Sequence, residues 1–124
     1  MPRSRREKKP PKYAFMKRVA LTLPGAIEVL DRYGSWFNVG TKTFAVFWNK
    51  SERWVLKLPK DQVMMLIEAR PEIFTPMRSG PMLWAYVDVN ALNANELRDY
   101  LTAAWRCIVP KKVAREHLGM EDRI

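Results

Sequence analysis

The side chains able to do chemistry are few and scattered. His117 is the sole histidine and Cys107 the sole cysteine of a 124-residue chain. A zinc site built on a histidine pair, or a triad with a histidine base, would have to draw on His117 alone. That residue stands among Lys111, Lys112, Arg115 and Glu116, in a stretch expected to form a solvated helix end. Cys107 follows Arg106, whose charge favours a thiolate, but the sequence identifies no base to activate it, and a partly buried structural thiol is the expectation. The five glycines stand singly, so there is no glycine-rich phosphate loop, and the carboxylates do not recur at metal-ligand spacing. This inventory points to a binding module rather than an enzyme, with no metal and no cofactor.

Binding chemistry is better represented. In Arg53–Leu58, strand alternation sets Trp54, Leu56 and Leu58 against Arg53, Val55 and Lys57. In Leu83–Asp88 it sets Leu83, Ala85 and Val87 against Trp84, Tyr86 and Asp88. If the aliphatic sets line the core, Trp84 and Tyr86 share an open sheet face with Arg53 and Lys57, and Arg78 lies in the connection leading there. Aromatics beside cations stack bases and neutralise phosphates. Lys111 and Lys112, with Arg115, are further candidates for phosphate contact. The structural alternative is that these rings are core, or are covered by residues 26–34 or by a second copy of the chain. Trp36 and Trp48 fit either face.

Formal net charge is +9, unevenly spread. Residues 1–12 hold Arg3, Arg5, Arg6, Lys8, Lys9 and Lys12 against Glu7, a net of +5, which leaves +4 for the rest. Such a tail buries no apolar area, is expected to be disordered in isolation, and attracts polyanions. A tail that merely aids solubility has the same composition. A charged, proline-bearing N-terminus without an apolar stretch behind it, a single thiol, and apolar runs as short as Phe44–Trp48 place the expectation in the cytoplasm, off the membrane.

The elements that must position these residues follow from periodicity. With 48% hydrophobic residues the chain can bury a core as one domain, expected over 13–118 between the tail and a short segment at 119–124. Met16, Val19, Ala20 and Leu23 mark a helix over 13–23 that Pro24-Gly25 ends. Residues 26–34 are ambiguous between strand and turn. Strands at 35–39, 43–48 and 53–58 form a meander, a helix covers 59–70, and strands follow at 73–77 and 83–89. Asn93 and Glu96 make a capping box for a helix over 94–109, whose stripe is Leu97, Tyr100, Leu101, Ala104, Trp105 and Ile108. A short basic helix from Lys111 to His117 follows Pro110. The expected fold is a two-layer α+β domain, α-β(3)-α-β(2)-α, with a five-stranded antiparallel sheet.

The landmarks in this order are Leu23-Pro24-Gly25, Val39-Gly40-x-Lys42-x-Phe44-Ala45, Leu56-Lys57-Leu58-Pro59, Pro71-x-x-Phe74, Gly80-Pro81-x-x-Trp84 and Val109-Pro110-Lys111-Lys112. Together they resemble the MmcQ/YjbR family of small bacterial proteins, over about residues 14 to 117. The resemblance implies the same α-β(3)-α-β(2)-α arrangement, seen also in type III secretion chaperones, and a DNA-binding label. It supplies no catalytic residue. Three readings follow: a protein that binds DNA or RNA mainly through phosphate contacts, a protein- or peptide-binding adaptor, and a small-molecule binder or enzyme with a pocket around Lys57, Arg78 and Trp84.

Overall fold

The computed structural model describes residues 12–79 and 82–122. Helix α1 (Tyr13–Thr22) stops at Pro24-Gly25, where Gly25 takes φ +76° and turns the chain into the sheet. Strands β1 (Ala26–Leu30), β2 (Gly34–Val39), β3 (Lys42–Trp48) and β4 (Arg53–Lys57) form a continuous meander. Helix α2 (Lys60–Ala69) leads to the hairpin of β5 (Phe74–Ser79) and β6 (Met82–Val87). A single 3-10 turn (Val89–Ala91), α3 (Ala94–Arg106) and α4 (Lys111–Asp122) complete the order. Every strand pair is antiparallel, and the spatial order is β1-β2-β3-β4-β6-β5.

The sheet therefore has six strands, not five. The additional strand is β1, in the segment left ambiguous by its sequence. Its alternation is inverted: Glu28 turns toward the helices, where it accepts a hydrogen bond from Tyr13 Oη at 3.0 Å and pairs with Lys17 Nζ at 3.1 Å. Ile27 and Val29 face outward, 52% and 42% exposed. A strand with its charge inside and its aliphatics outside does not announce its core face. The last helix is also longer than the 111–117 expected.

All the helices named so far lie on one side of the sheet. Met16, Val19 and Ala20 of α1, Val63 and Leu66 of α2, and Leu97, Leu101, Ala104 and Trp105 of α3 share one core with Phe37, Phe47, Trp54, Leu56 and Ala85. The expected core residues Leu56, Leu66, Leu97, Leu101 and Ala104 are all buried. Trp54 stacks on Phe37 at 5.6 Å and tilts against Phe47 at 5.2 Å and Tyr13 at 5.8 Å. The capping box forms as read: Glu96 N donates to Asn93 Oδ1 at 2.8 Å and Asn93 N to Glu96 Oε1 at 3.1 Å. Residues 1–11 of the basic tail lie outside the described residues. Lys12, read as part of that tail, is tied to the folded domain, its Nζ donating to the carbonyls of Val89 and Leu92.

His117 is not a solvated helix end. It packs edge-on against Trp105, ring centroids 5.2 Å apart. The cause is Ala114, buried one turn earlier, which fastens α4 to the core and turns that face inward.

Candidate functional site

The register places the open face residue by residue. One row crosses all six strands: Val29, Trp36, Val46, Val55, Tyr86 and Thr75 are successive cross-strand partners. Flanking rows pair Trp48 with Arg53, and Lys57 with Trp84 and then Met77. Val46 and Val55 on this row are buried, yet they stand outside the core that the helices share with the sheet. The rings of Trp36 and Trp48 meet edge-to-face at 5.3 Å. The Arg53 guanidinium lies 3.8 Å from the Tyr86 ring centroid, a close cation–π contact. Trp36, Trp48, Trp84 and Tyr86 are all half-buried.

Four of the predicted residues, Arg53, Lys57, Trp84 and Tyr86, therefore do share one face. The backbone of Arg78 pairs with Leu83 in the β5–β6 hairpin, while its side chain lies outside the described residues. Lys111 and Lys112 are not with the others. They begin α4, where Lys111 lines a cleft with Gln62 of α2 and Arg106 at the end of α3, in the helix layer. That cleft, of about 410 Å³, is lined by neither Trp84 nor Lys57, so it is not the pocket expected around Lys57, Arg78 and Trp84.

Sequence reasoning missed the other half of the face. Trp36 and Trp48 belong to it, and a concavity of about 580 Å³ beside Trp48 is lined by Arg32, Tyr33, Asn49 and Lys50. Arg32 lies over the Tyr33 ring at 5.0 Å, a second cation–aromatic pair. The Trp48 indole N–H is buried with no partner among the described residues.

Asp31 holds this end together, accepting from Tyr33 N at 2.8 Å, Gly34 N at 3.0 Å and Trp36 Nε1 at 3.0 Å. Partial desolvation pushes its carboxyl up, but these three hydrogen bonds outweigh it and hold the carboxyl below its ordinary range. A depressed folded-state value means the stabilisation is complete above the unfolded value, about 3.9, and is lost as pH falls through the folded value. Asp31→Asn is therefore expected to flatten the acid side of the melting-temperature profile in that window. Thermal melts of both proteins from about pH 5 downward check this.

Among the described residues no group of three or more His, Cys, Asp or Glu side chains is placed to hold a metal, and no helix is long and apolar enough to cross a membrane. An antiparallel sheet with helices on one side and an aromatic, cationic face on the other defines a small open-faced α+β protein. A family model described as YjbR matches residues 21–107, and the chain belongs to the YjbR family. Its fold is similar to the crystal structure of Deinococcus radiodurans protein DR2400, which carries a DUF419 domain. The TM-score is 0.67 at 22% identity, over 84% of this chain and 85% of that one. At that identity the likeness shows the fold alone. No curated protein matches the sequence.

Proposed function

We propose that this protein binds single-stranded nucleic acid across the open face of its sheet, without catalysing a reaction on it. The observation that carries the reading is the Arg53–Tyr86 stack beside the Lys57–Trp84 pair. Rings with one free surface stack bases of any sequence, and adjacent cations neutralise the strand that joins them. Trp36, Trp48, Arg32 and Lys50 extend the same chemistry toward the far end of the sheet. A duplex reader would set a helix into the major groove, whereas α1, α2 and α3 spend their apolar faces on the sheet. Cytoplasmic residence fits this reading.

Salt tests it. Affinity for a short single-stranded oligonucleotide is expected to fall linearly on a log–log plot, with a slope of about −0.7 per neutralised phosphate. Deleting residues 1–11 removes five cations and one acid, +4 of the +9. That deletion is expected to weaken all sequences alike and to flatten the slope, while leaving measurable binding on the folded domain. Binding that disappears with the tail would assign the sheet face another role.

A second reading has its own observation. Strand β1 is an edge whose Ile27, Val29 and Leu30 are 52%, 42% and 68% exposed. An extended peptide that adds a strand there would make the protein an adaptor, and such a complex would survive salt that strips a phosphate-driven one.

A further inference from the structure

The helix side of the molecule carries a cleft that the sheet-face reading does not use. Its walls are the end of α3, the first turns of α4 and the start of α2, and its volume is about 410 Å³. Ala103, Cys107 and Ala114 form an apolar floor, and Arg106, Lys111 and Arg115 reach in from the rim. Lys111 and Arg115 stand four residues apart on α4 and so project from one face of it. The buried Ala114 fixes that helix against the core. Helix α3 ends at Arg106, and after a short turn Pro110 stands immediately before α4, where its fixed φ suits a helix start, so the bend that brings Arg106 opposite Lys111 is built into the backbone.

Among the described residues no carboxylate answers these charges: the ion pairs are Lys17–Glu28 and Arg70–Glu96, and the cleft lining contains no Asp or Glu. The positive charge of Lys57, from the end of β4, also acts on Cys107 together with that of Arg106. Burial is the larger influence and pushes the thiol up, so Cys107 serves the cleft as a small apolar wall. Like charges converging on an apolar hollow repel one another, and an anion placed among them relieves that repulsion.

We propose that this cleft binds a small organic anion, a carboxylate or phosphate head joined to a compact apolar body. Its volume falls within the range of small-molecule sites. The head sits between Arg106 and Arg115, whose planar forks suit carboxylate and phosphate oxygens, and Lys111 adds a point charge. The body rests on Ala103, Cys107 and Ala114. Among the described residues the lining contains no aromatic ring, so nucleobases have nothing to stack on and a nucleic-acid strand is the wrong ligand.

Because Cys107 is the only thiol in the chain, its alkylation reports on this cleft and on no other surface. The probe is 8-anilinonaphthalene-1-sulfonate, and the measurement is the rate at which iodoacetamide modifies Cys107 in the full-length protein at mildly alkaline pH. The sulfonate is expected to slow alkylation saturably. Arg106, Lys111 and Arg115 are exposed, so the double variant Arg106→Gln/Arg115→Gln retains the fold, checked by circular dichroism. It is expected to need at least about tenfold more probe for the same protection, since hydrogen bonds to charged groups are the strong ones. Ala103→Met, which fills the floor, is expected to abolish protection by a different route. Three results would overturn the proposal: protection unchanged in the double variant, equal protection by the uncharged N-phenyl-1-naphthylamine, or displacement of the sulfonate by a single-stranded oligonucleotide.

Discussion

Trp54→Ala is expected to destabilise the protein by about 3–5 kcal/mol, the range for truncating a large buried aromatic. Trp54 is 1% exposed and touches Tyr13, Phe37 and Phe47, so its ring joins α1 to two strands of the sheet. Domains of this size are stable by only about 5–15 kcal/mol, so the variant loses a large part of its margin. Trp54→Phe should cost much less. The Trp54 indole N–H has no partner among the described residues, and replacing it removes an orphaned donor whose burial costs about 1–3 kcal/mol. Urea unfolding checks both: the alanine midpoint falls steeply, the phenylalanine midpoint little, and the slope is unchanged in each. Comparable losses in the two variants would remove Trp54 from the centre of the packing.

The second large effect is on binding. Trp84→Ala and Tyr86→Ala are each expected to weaken a single-stranded oligonucleotide by about 1–3 kcal/mol, or roughly 5- to 150-fold, the measured worth of one stacked base. The two residues act differently. Trp84 is the cross-strand partner of Lys57, whereas Tyr86 holds the Arg53 guanidinium 3.8 Å from its ring centroid. Tyr86→Ala therefore frees a cation as well as removing a platform, and should raise the salt sensitivity of what binding remains. Tyr86→Phe keeps the ring and should bind nearly as the parent does. Fluorescence anisotropy at two salt concentrations separates these cases. A loss of melting temperature without loss of affinity would make Trp84 and Tyr86 packing residues only.

Half of this face was legible in the sequence, for reasons that can be traced. The alternation in Arg53–Leu58 and Leu83–Asp88 is uninterrupted, so parity alone puts Arg53, Lys57, Trp84 and Tyr86 together. Trp48 defeats parity. Gly40, at φ +62°, opens a two-residue turn that pairs Val39 with Lys42, and counting back from there puts Trp48 in the core with Phe37. A bulge at Phe37/Asn38 breaks the count: Asn38 pairs with Thr43 but Phe37 with Ala45, so Phe44 is the extra residue. Beyond it Trp48 joins Trp36 on the outer face, and nothing in the local sequence marks the change. Strand β1 hid for another reason, its lone charge being satisfied inside by Tyr13 and Lys17. The capping box at Asn93, by contrast, depends on residues three apart and was readable directly. The separation of Lys111 and Lys112 from the sheet face is a tertiary fact, set by how α4 docks.

The five tryptophans make a direct test of the sheet-face claim. Trp36, Trp48 and Trp84 lie on the open face, while Trp54 and Trp105 are buried in the core between sheet and helices. Five indole N–H signals in a nitrogen-15 correlation spectrum therefore divide into two groups. Titration with a short single-stranded oligonucleotide is expected to shift the signals of Trp36, Trp48 and Trp84 together and saturably, leaving those of Trp54 and Trp105 in place. Shifts confined to the backbone amides of residues 1–11 or of α4, with all five indoles still, would contradict it.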